Sequence, residues 1–112
     1  KQTPYRDAAG TPLLVAAPRI PGSRATYRVV ELVDLYPTLV ELAGLPTPGG
    51  LDGRSFADLL ERPEMPWDHV AFTRSAKHDR YDVTAISTEE HRLVVYSDGR
   101  RELYHLKHDP SE

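Results

Sequence analysis

The 112-residue chain contains 28% charged and 39% hydrophobic residues, a balance that is typical of globular domains and not of disordered chains. Its formal net charge is −3, with both signs interspersed along the sequence, so we expect neither nucleic acid nor an anionic membrane as a partner. The absence of cysteine excludes disulfides, thiolate zinc sites and cysteine nucleophiles.

The first half of the chain predicts one strand and two helices. A proline-bounded apolar run at residues 12–17 favours a strand that is buried on both faces. The clearest helix is predicted to begin at Asp34, as its N-cap, and to end at Gly44. Its apolar stripe consists of Leu35, Leu39 and Leu42. A second, shorter helix is predicted from Ser55, its N-cap, to Leu60.

The second half changes to the alternating pattern of strands. Trp67, in a proline-containing connector, is expected to be a packing anchor. Four strands are predicted at residues 70–73, 83–87, 91–96 and 102–106. Glu89-Glu90 and Ser97-Asp98-Gly99 are the expected turns between the last three. These strands predict a small antiparallel sheet that is covered on one face by a helix.

Four segments, taken in order, resemble the tail of the sulfatase family within the alkaline-phosphatase-like superfamily. They are KQTPYRDAAGTPLLV (residues 1–15), VELVDLYPTLVELAGLP (30–46), LDGRSFADLL (51–60) and ELYHLKHDPSE (102–112). The sequence of the second segment and the tripeptide Pro66-Trp67-Asp68 are most similar to the iduronate-2-sulfatase-like branch. The first segment departs from the family at Arg6, where an acidic residue is usual.

The resemblance implies an α/β parent fold, which as an isolated fragment becomes α+β. Residues 1–50 would be the end of the catalytic domain, comprising the last core strand, a loop and a helix. Residues 51–112 would form the C-terminal antiparallel subdomain, a four-stranded sheet with a short packing helix. Because the chain begins at Lys1, with no initiator methionine and no signal-peptide pattern, we expect a processed chain or a fragment.

The resemblance also implies an activity, the hydrolysis of sulfate esters on sulfated sugars or polysaccharides. Sulfatases use a formylglycine made within a C/S-x-P-x-R motif, together with a divalent cation, usually calcium, and both lie in the N-terminal half of the family's chain. Residues 1–112 contain no such motif. We therefore expect no cofactor and no metal in this fragment, a missing catalytic half, and no activity from the fragment alone.

One active-site residue carries over by the resemblance. Lys1 matches the late lysine of the family that contacts the substrate's sulfate group. A fixed ammonium there would stabilise charge on the sulfate oxygens and on the leaving alkoxide. Lys77, His78 and Arg80 form a charged loop between strands, which is either a solvated loop or part of the substrate rim. Cationic side chains in such a loop could pair with a polyanionic glycan.

The remaining acidic residues and histidines have structural interpretations. His105 and His108 are expected on opposite faces of a strand, which argues against a shared metal ion. Asp34 is expected to be a helix cap and Asp58 to lie on the solvent face of a short helix, so the two do not form a catalytic pair.

Two alternative functions stay open. The chain could be the tail of a related phosphodiesterase or phosphonate hydrolase, which upstream residues would distinguish. It could instead be a free-standing, non-catalytic module that binds glycans or a protein. The family resemblance implies a periplasmic, secreted or lysosomal location for the parent enzyme.

Overall fold

The computed structural model of the chain describes residues 5–76 and 82–109. Contacts divide them into two compact units, of which one comprises Leu14–Asp68 and the other joins the residues up to Leu13 with those from His69 onwards. This division differs from the boundary expected near residue 50. The chain's first described residues pack with the last strands, a long-range association that local sequence patterns do not reveal.

The sheet unit contains the four strands that the alternating pattern predicts. They form one antiparallel sheet in the order β1-β2-β3-β4. Their bounds are β1 Ala71–Ala76, β2 Asp82–Ser87, β3 His91–Tyr96 and β4 Arg101–His105. Each predicted strand is confirmed, with ends displaced by three residues at most. The unit also includes a single helical turn, α1, at Arg6–Ala9.

Both predicted turns of the sheet form with local hydrogen bonds. Thr88 closes the first, because its hydroxyl oxygen accepts the backbone N–H of His91 at 2.9 Å. Gly99 ends the second with a φ of 88°, a left-handed conformation that glycine adopts without steric cost. Its N–H donates to the carbonyl oxygen of Tyr96 at 3.0 Å.

The two faces of the sheet differ in burial. Val83, Ala85 and Val94 form a buried apolar cluster on one face. On the other face the strand register aligns a row of apolar residues across all four strands, namely Phe72, Ile86, Leu93 and Leu103. Phe72 and Leu103, on the outer strands, are 58% and 69% exposed. The core of this unit therefore lies on one face only, as expected for a small antiparallel sheet.

The second unit is organised by helix α2, Leu35–Leu42. Its end is the one predicted, because Gly44 has a φ of 67°. The N–H of Gly44 donates to the carbonyl of Glu41 at 2.9 Å, and the N–H of Leu45 donates to that of Val40 at 3.0 Å. These two bonds are the Schellman pattern, which satisfies carbonyl groups that the helix leaves without partners.

Asp34 is the N-cap residue of α2, as predicted, but its side chain does not make the expected capping bond to that helix. A short 3₁₀ turn at Leu32–Asp34 precedes α2, and no side-chain capping bond is made at Asp34. The buried carboxylate instead accepts the backbone N–H groups of Glu31 at 2.8 Å and Arg54 at 2.7 Å. Asp34 therefore ties the start of α2 to a loop twenty residues away, a role that requires tertiary contact.

Helix α3 spans Ala57–Glu61, two residues later than predicted at its start. Ser55 does not occupy the N-cap position, but its hydroxyl oxygen accepts the N–H of Ala57 at 3.2 Å. The buried side chains of Phe56 and Leu59 lie at this helix. Trp67 anchors the connector as predicted, because its indole N–H donates to the carbonyl of Val29 at 2.8 Å.

The strand predicted at residues 12–17 does not form. Residues 10–17 have no regular secondary structure, and Leu14 is 95% exposed. A strand requires partners for its backbone N–H and C=O groups, and within residues 5–76 and 82–109 only β1–β4 pair with one another. None of the described helices combines the length and apolar character that crossing a bilayer requires.

Candidate functional site

The four sequence-predicted site residues lie outside the described part of the chain. Lys1 precedes Tyr5, the first described residue, and Lys77, His78 and Arg80 fall between Ala76 and Asp82. Their roles stay predictions. The structure does describe the residues next to these two segments, which are Tyr5 on one side and Ala76 and Asp82 on the other.

An ion pair joins the two strands that flank the segment containing Lys77 and Arg80. The Arg74 guanidinium, on β1, donates through Nε to Asp82 Oδ1 at 3.1 Å and through Nη2 to Asp82 Oδ2. The hydrogen bond from Arg74 holds the pKa of the Asp82 carboxyl below its usual range. Both side chains are well exposed, so the pair fixes geometry at the end of β1 and β2 more than it adds stability.

Near Tyr5, on the buried face of the sheet, one carboxylate gathers three tyrosine hydroxyls. Glu102 Oε2, on β4, accepts hydrogen bonds from Tyr5 at 3.1 Å, Tyr96 at 3.0 Å and Tyr104 at 3.0 Å. The hydroxyl oxygens of Tyr5 and Tyr96 are themselves 3.0 Å apart. We call these four residues the tyrosine–glutamate cluster. It connects the first described residue of the chain to its last two strands.

Packing holds the tyrosine–glutamate cluster together as well. The rings of Tyr5 and Tyr104 meet edge to face, with centroids 6.2 Å apart and an interplanar angle of 86°, an arrangement that aromatic quadrupoles favour. All three tyrosines pack against the buried cluster of Val83, Ala85 and Val94. The Arg100 guanidinium lies over the Tyr96 ring, 4.5 Å from its centroid, where a cation is attracted to the ring face.

The ionisation of the cluster follows from these contacts. Desolvation works to raise the pKa of Glu102, but the three tyrosine hydroxyls outweigh it, and the pKa lies below its usual value. Desolvation, followed by the hydrogen bond to Glu102, raises the pKa of Tyr104 to about 12. The pKa of Tyr96 is also raised, first by desolvation and then by its bonds to Tyr5 and Glu102. At neutral pH the cluster therefore holds a charged carboxylate beside the neutral phenols of Tyr96 and Tyr104.

Sequence reasoning missed this cluster. Alternation along the strands indicates that Tyr96, Glu102 and Tyr104 share one face, and the register confirms it. No such signal exists for Tyr5, which is separated from Glu102 by 97 positions. Only the folded chain brings them together.

The histidines at the other end of β3 and β4 correct one expectation. His105 and His108 do not lie on opposite faces of a strand, because β4 ends at His105 and a turn follows. Their ring centroids are 4.5 Å apart, and the ring of His91 lies 4.8 Å from that of His105. The rings contact one another, and the expectation of no metal in this chain stays a prediction.

All 112 residues of the chain match the family described as N-sulphoglucosamine sulphohydrolase, C-terminal. A sulfatase from Formosa agariphila is 30% identical over 112 residues, which are 100% of this chain and 21% of the relative. Arylsulfatase K from Xenopus laevis is 42% identical over 125 residues, covering 100% of this chain and 23% of the relative. The chain thus spans about a fifth of the length of these curated relatives.

Solved structures share the fold. The structure of BT4656 in complex with its substrate, D-glucosamine-2-N,6-O-disulfate, superposes with a TM-score of 0.60 at 23% identity. The superposition covers 69% of this chain and 17% of that one. The family match includes every residue of the chain, and the relatives that align with its whole length are sulfatases. The chain belongs to the sulfatases, in the family defined by the C-terminal region of N-sulphoglucosamine sulphohydrolase.

Proposed function

We propose that this chain is the C-terminal part of an enzyme that hydrolyses sulfate esters of sulfated sugars or polysaccharides. The observation that carries the proposal is the match of all 112 residues to a C-terminal sulfatase family, while they span 21–23% of the curated relatives. The substrate in the BT4656 complex, a disulfated glucosamine, supports a sulfated carbohydrate. The similarity of residues 30–46 and Pro66-Trp67-Asp68 to the iduronate-2-sulfatase-like branch supports an enzyme of that branch.

The formylglycine of sulfatases does not fit onto these residues. It is made within a C/S-x-P-x-R motif, and residues 1–112 contain neither that motif nor any cysteine. We propose that formylglycine and a divalent cation, calcium, belong to a preceding part of the enzyme. No chemical step is assigned to them within this chain.

Lys1 is the residue that we propose contacts the sulfate group. Its ammonium would neutralise charge that builds on the sulfate oxygens and on the departing alkoxide as the ester bond breaks. Such a charge is more effective in an active site that excludes water than in bulk solvent, because the dielectric screening is weaker. The proposal rests on the match of residues 1–15 to the family pattern.

Sulfate release from sulfated glucosamines by the full-length protein tests the function. We expect Lys1→Ala to lower kcat/KM by about 10²–10³-fold, the usual effect of removing one group that stabilises transition-state charge. Lys107→Ala, at an exposed lysine paired with Glu90, is the matched control and should retain activity. Residues 1–112 alone should show no turnover. A full-length protein that releases no sulfate, or that cleaves phosphodiesters in preference, would contradict the proposal.

The loop of Lys77, His78 and Arg80 is proposed as part of the substrate rim. The Arg74–Asp82 pair fixes the strand ends from which this loop departs, and cationic side chains there would attract sulfates remote from the cleaved bond. The double substitution Lys77→Ala and Arg80→Ala should raise KM for sulfated oligosaccharides and leave KM for a monosaccharide unchanged. Equal effects on both substrates would count against a rim role.

The alternatives receive less support. The relatives that match this chain over its whole length are named sulfatases, which favours sulfate esters over phosphodiesters or phosphonates as substrates. A free-standing module fits poorly with a chain whose relatives extend about fourfold beyond the matched region. The family resemblance alone supports a periplasmic, secreted or lysosomal parent enzyme, which cell fractionation would test.

A further inference from the structure

Helix α2 packs within its unit through a side that is not its apolar stripe. The side chains that it buries are Pro37, Thr38 and Val40. Thr38 fixes this orientation, because its hydroxyl donates to the carbonyl oxygen of Asp34 at 2.6 Å and accepts the N–H of Phe56 at 3.0 Å. Leu39, in the middle of the predicted apolar stripe, is instead 62% exposed. The chain therefore covers the side of α2 that carries Thr38 and leaves Leu39 in solvent.

The exposed side of α2 continues into the 3₁₀ turn before it. Leu32, Tyr36 and Leu39 follow at the spacing of neighbours on one side of a helix, and they are 65%, 55% and 62% exposed. We call these three residues the outer stripe. Glu41 is the only charged residue in α2, whereas a helix that faces water normally carries charged and polar residues on that side. The outer stripe thus has the composition of a covered helix face.

The chemistry of the outer stripe indicates what kind of neighbour covers it. Contiguous apolar side chains on a surface mark an interface. Permanent interfaces are more apolar than those that form and separate in solution, and they resemble the interior of a domain. The outer stripe has one polar side-chain group, the Tyr36 hydroxyl, and no charge. A permanent neighbour therefore suits it better than a transient one.

The curated relatives contain enough additional chain to provide that neighbour. Residues 1–112 align with 21% of the Formosa agariphila sulfatase and with 23% of the Xenopus laevis arylsulfatase K, so more than three quarters of each relative lies outside the match. A neighbour in the same polypeptide is permanent by construction. Its contact with α2 needs no second molecule and is independent of protein concentration.

We propose that the outer stripe is the surface of α2 on which the preceding part of the enzyme packs. This inference rests on the proposed function, in which these residues are the C-terminal part of a longer sulfatase. The contact removes Leu32, Tyr36 and Leu39 from water, and burial of apolar area is the main favourable contribution to such packing. The hydrogen bonds of Thr38 hold the opposite side of α2 in place. The helix then joins the two parts of the enzyme.

Thiol labelling of the full-length enzyme tests the inference. Residues 1–112 contain no cysteine, so mass spectrometry can follow one that is introduced there through its own peptide. We expect Leu39→Cys to react roughly 100-fold more slowly in the native enzyme than in urea, because a covered thiol reacts only when the structure opens. Glu41→Cys, at an exposed position of the same helix, is the matched control and should react at nearly equal rates in both states.

Two labelling results would overturn the inference. One is rapid native labelling of Leu39→Cys, at the rate of Glu41→Cys. The other is protection in a dimer fraction from size-exclusion chromatography but not in the monomer, because a second copy would then be the neighbour. Hydroxyl-radical footprinting of Tyr36 in the unmodified enzyme repeats the test without a substitution that could disturb folding. Tyr36 should be modified far more slowly before unfolding than after it, and equal rates would contradict the packing.

Sulfate release by the unmodified enzyme separates this inference from the proposed function. A protein that releases no sulfate while Leu39→Cys is protected would refute the activity and not the packing. An active sulfatase in which Leu39→Cys is labelled rapidly would refute the packing alone.

Discussion

Gly53 shows how a single residue determines where two segments meet. A Cβ atom at this position would lie 2.2 Å from the carbonyl oxygen of Val33 and 2.6 Å from its carbonyl carbon. Both are backbone atoms, which cannot rotate away as a flexible side chain would. The close approach brings the next residue, Arg54, to the Asp34 carboxylate that accepts its N–H. Glycine is therefore required here for space and not for an unusual backbone conformation.

Gly53→Ala should lower the free energy of unfolding by about 1–3 kcal/mol, the usual range for overpacking a close contact. Gly49→Ala is the matched control, because nothing lies within 4 Å of its added Cβ. Restricting the unfolded chain at that position should leave stability unchanged or raise it slightly. Urea denaturation of both variants measures the difference. Equal midpoints for the two variants would show that the approach of Gly53 to Val33 is not needed.

Asp34 carries a related lesson about prediction. Its position before an apolar helical stripe is typical of a cap, and the sequence contains nothing to indicate that its carboxylate is 0% exposed. The N–H of Arg54 reaches it only because the loop turns back at Gly53. A capping preference is a local property, whereas a buried carboxylate with two backbone donors is a tertiary one.

At the scale of elements, the strands were the most predictable feature. Their alternation, the Ser97-Asp98-Gly99 turn and the Gly44 helix end are local signals, and the structure confirms each of them. Residues 12–17 carry an equally clear apolar signal, yet no strand forms there because none of the described strands pairs with that segment. Pattern identifies a segment that can be a strand, and the presence of a partner decides whether it is one.

The tyrosine–glutamate cluster should make the sheet sensitive to alkaline pH. The pKa of Tyr104 is raised from 10.0 to about 12 in the folded chain. A raised folded-state pKa means that folding favours the neutral phenol. The stability this provides is therefore complete below pH 10 and is lost as the pH rises through about 12. Tyr96 contributes in the same direction.

Absorbance titration of the phenolates, followed together with circular dichroism, measures this sensitivity. Tyr96 and Tyr104 should ionise well above the ordinary range, at the pH where the sheet signal disappears. Glu102→Gln should lower the pKa values of Tyr96 and Tyr104 only in part, because desolvation is the larger cause of each raised pKa. Six tyrosines that titrate together near pH 10 would disprove the coupling between cluster and sheet.

At the scale of the whole molecule, the apolar segment around Leu14 is the feature that these residues leave unexplained. Leu14 is 95% exposed, and its neighbours Leu13 and Val15 are 39% and 41% exposed. Such a run is an association hazard when nothing covers it. If the chain is part of a longer sulfatase, residues 12–17 would pair with strands of the preceding region.

Leu14→Asp should therefore have opposite consequences in two proteins. In the 112-residue chain the side chain is exposed, so the substitution should leave the melting temperature unchanged and reduce self-association in size-exclusion chromatography. In the full-length protein it would place a charge in a covered strand and should cost several kcal/mol. Tyr27→Asp, at a residue that is 92% exposed, should be tolerated in both. A full-length protein unaffected by Leu14→Asp would argue against a core strand.

The interleaving of the two units also has a consequence for the order of folding. Residues 14–68 are contiguous and can fold as soon as they are synthesised, whereas the sheet unit needs Tyr5 to meet Glu102 across 97 positions. Closing so long a loop is entropically unfavourable and slow compared with forming local contacts. During synthesis Tyr5 therefore cannot form its hydrogen bond to Glu102 until β4 has been made. We expect Tyr5 and Glu102 to join late, after α2 and α3 have formed.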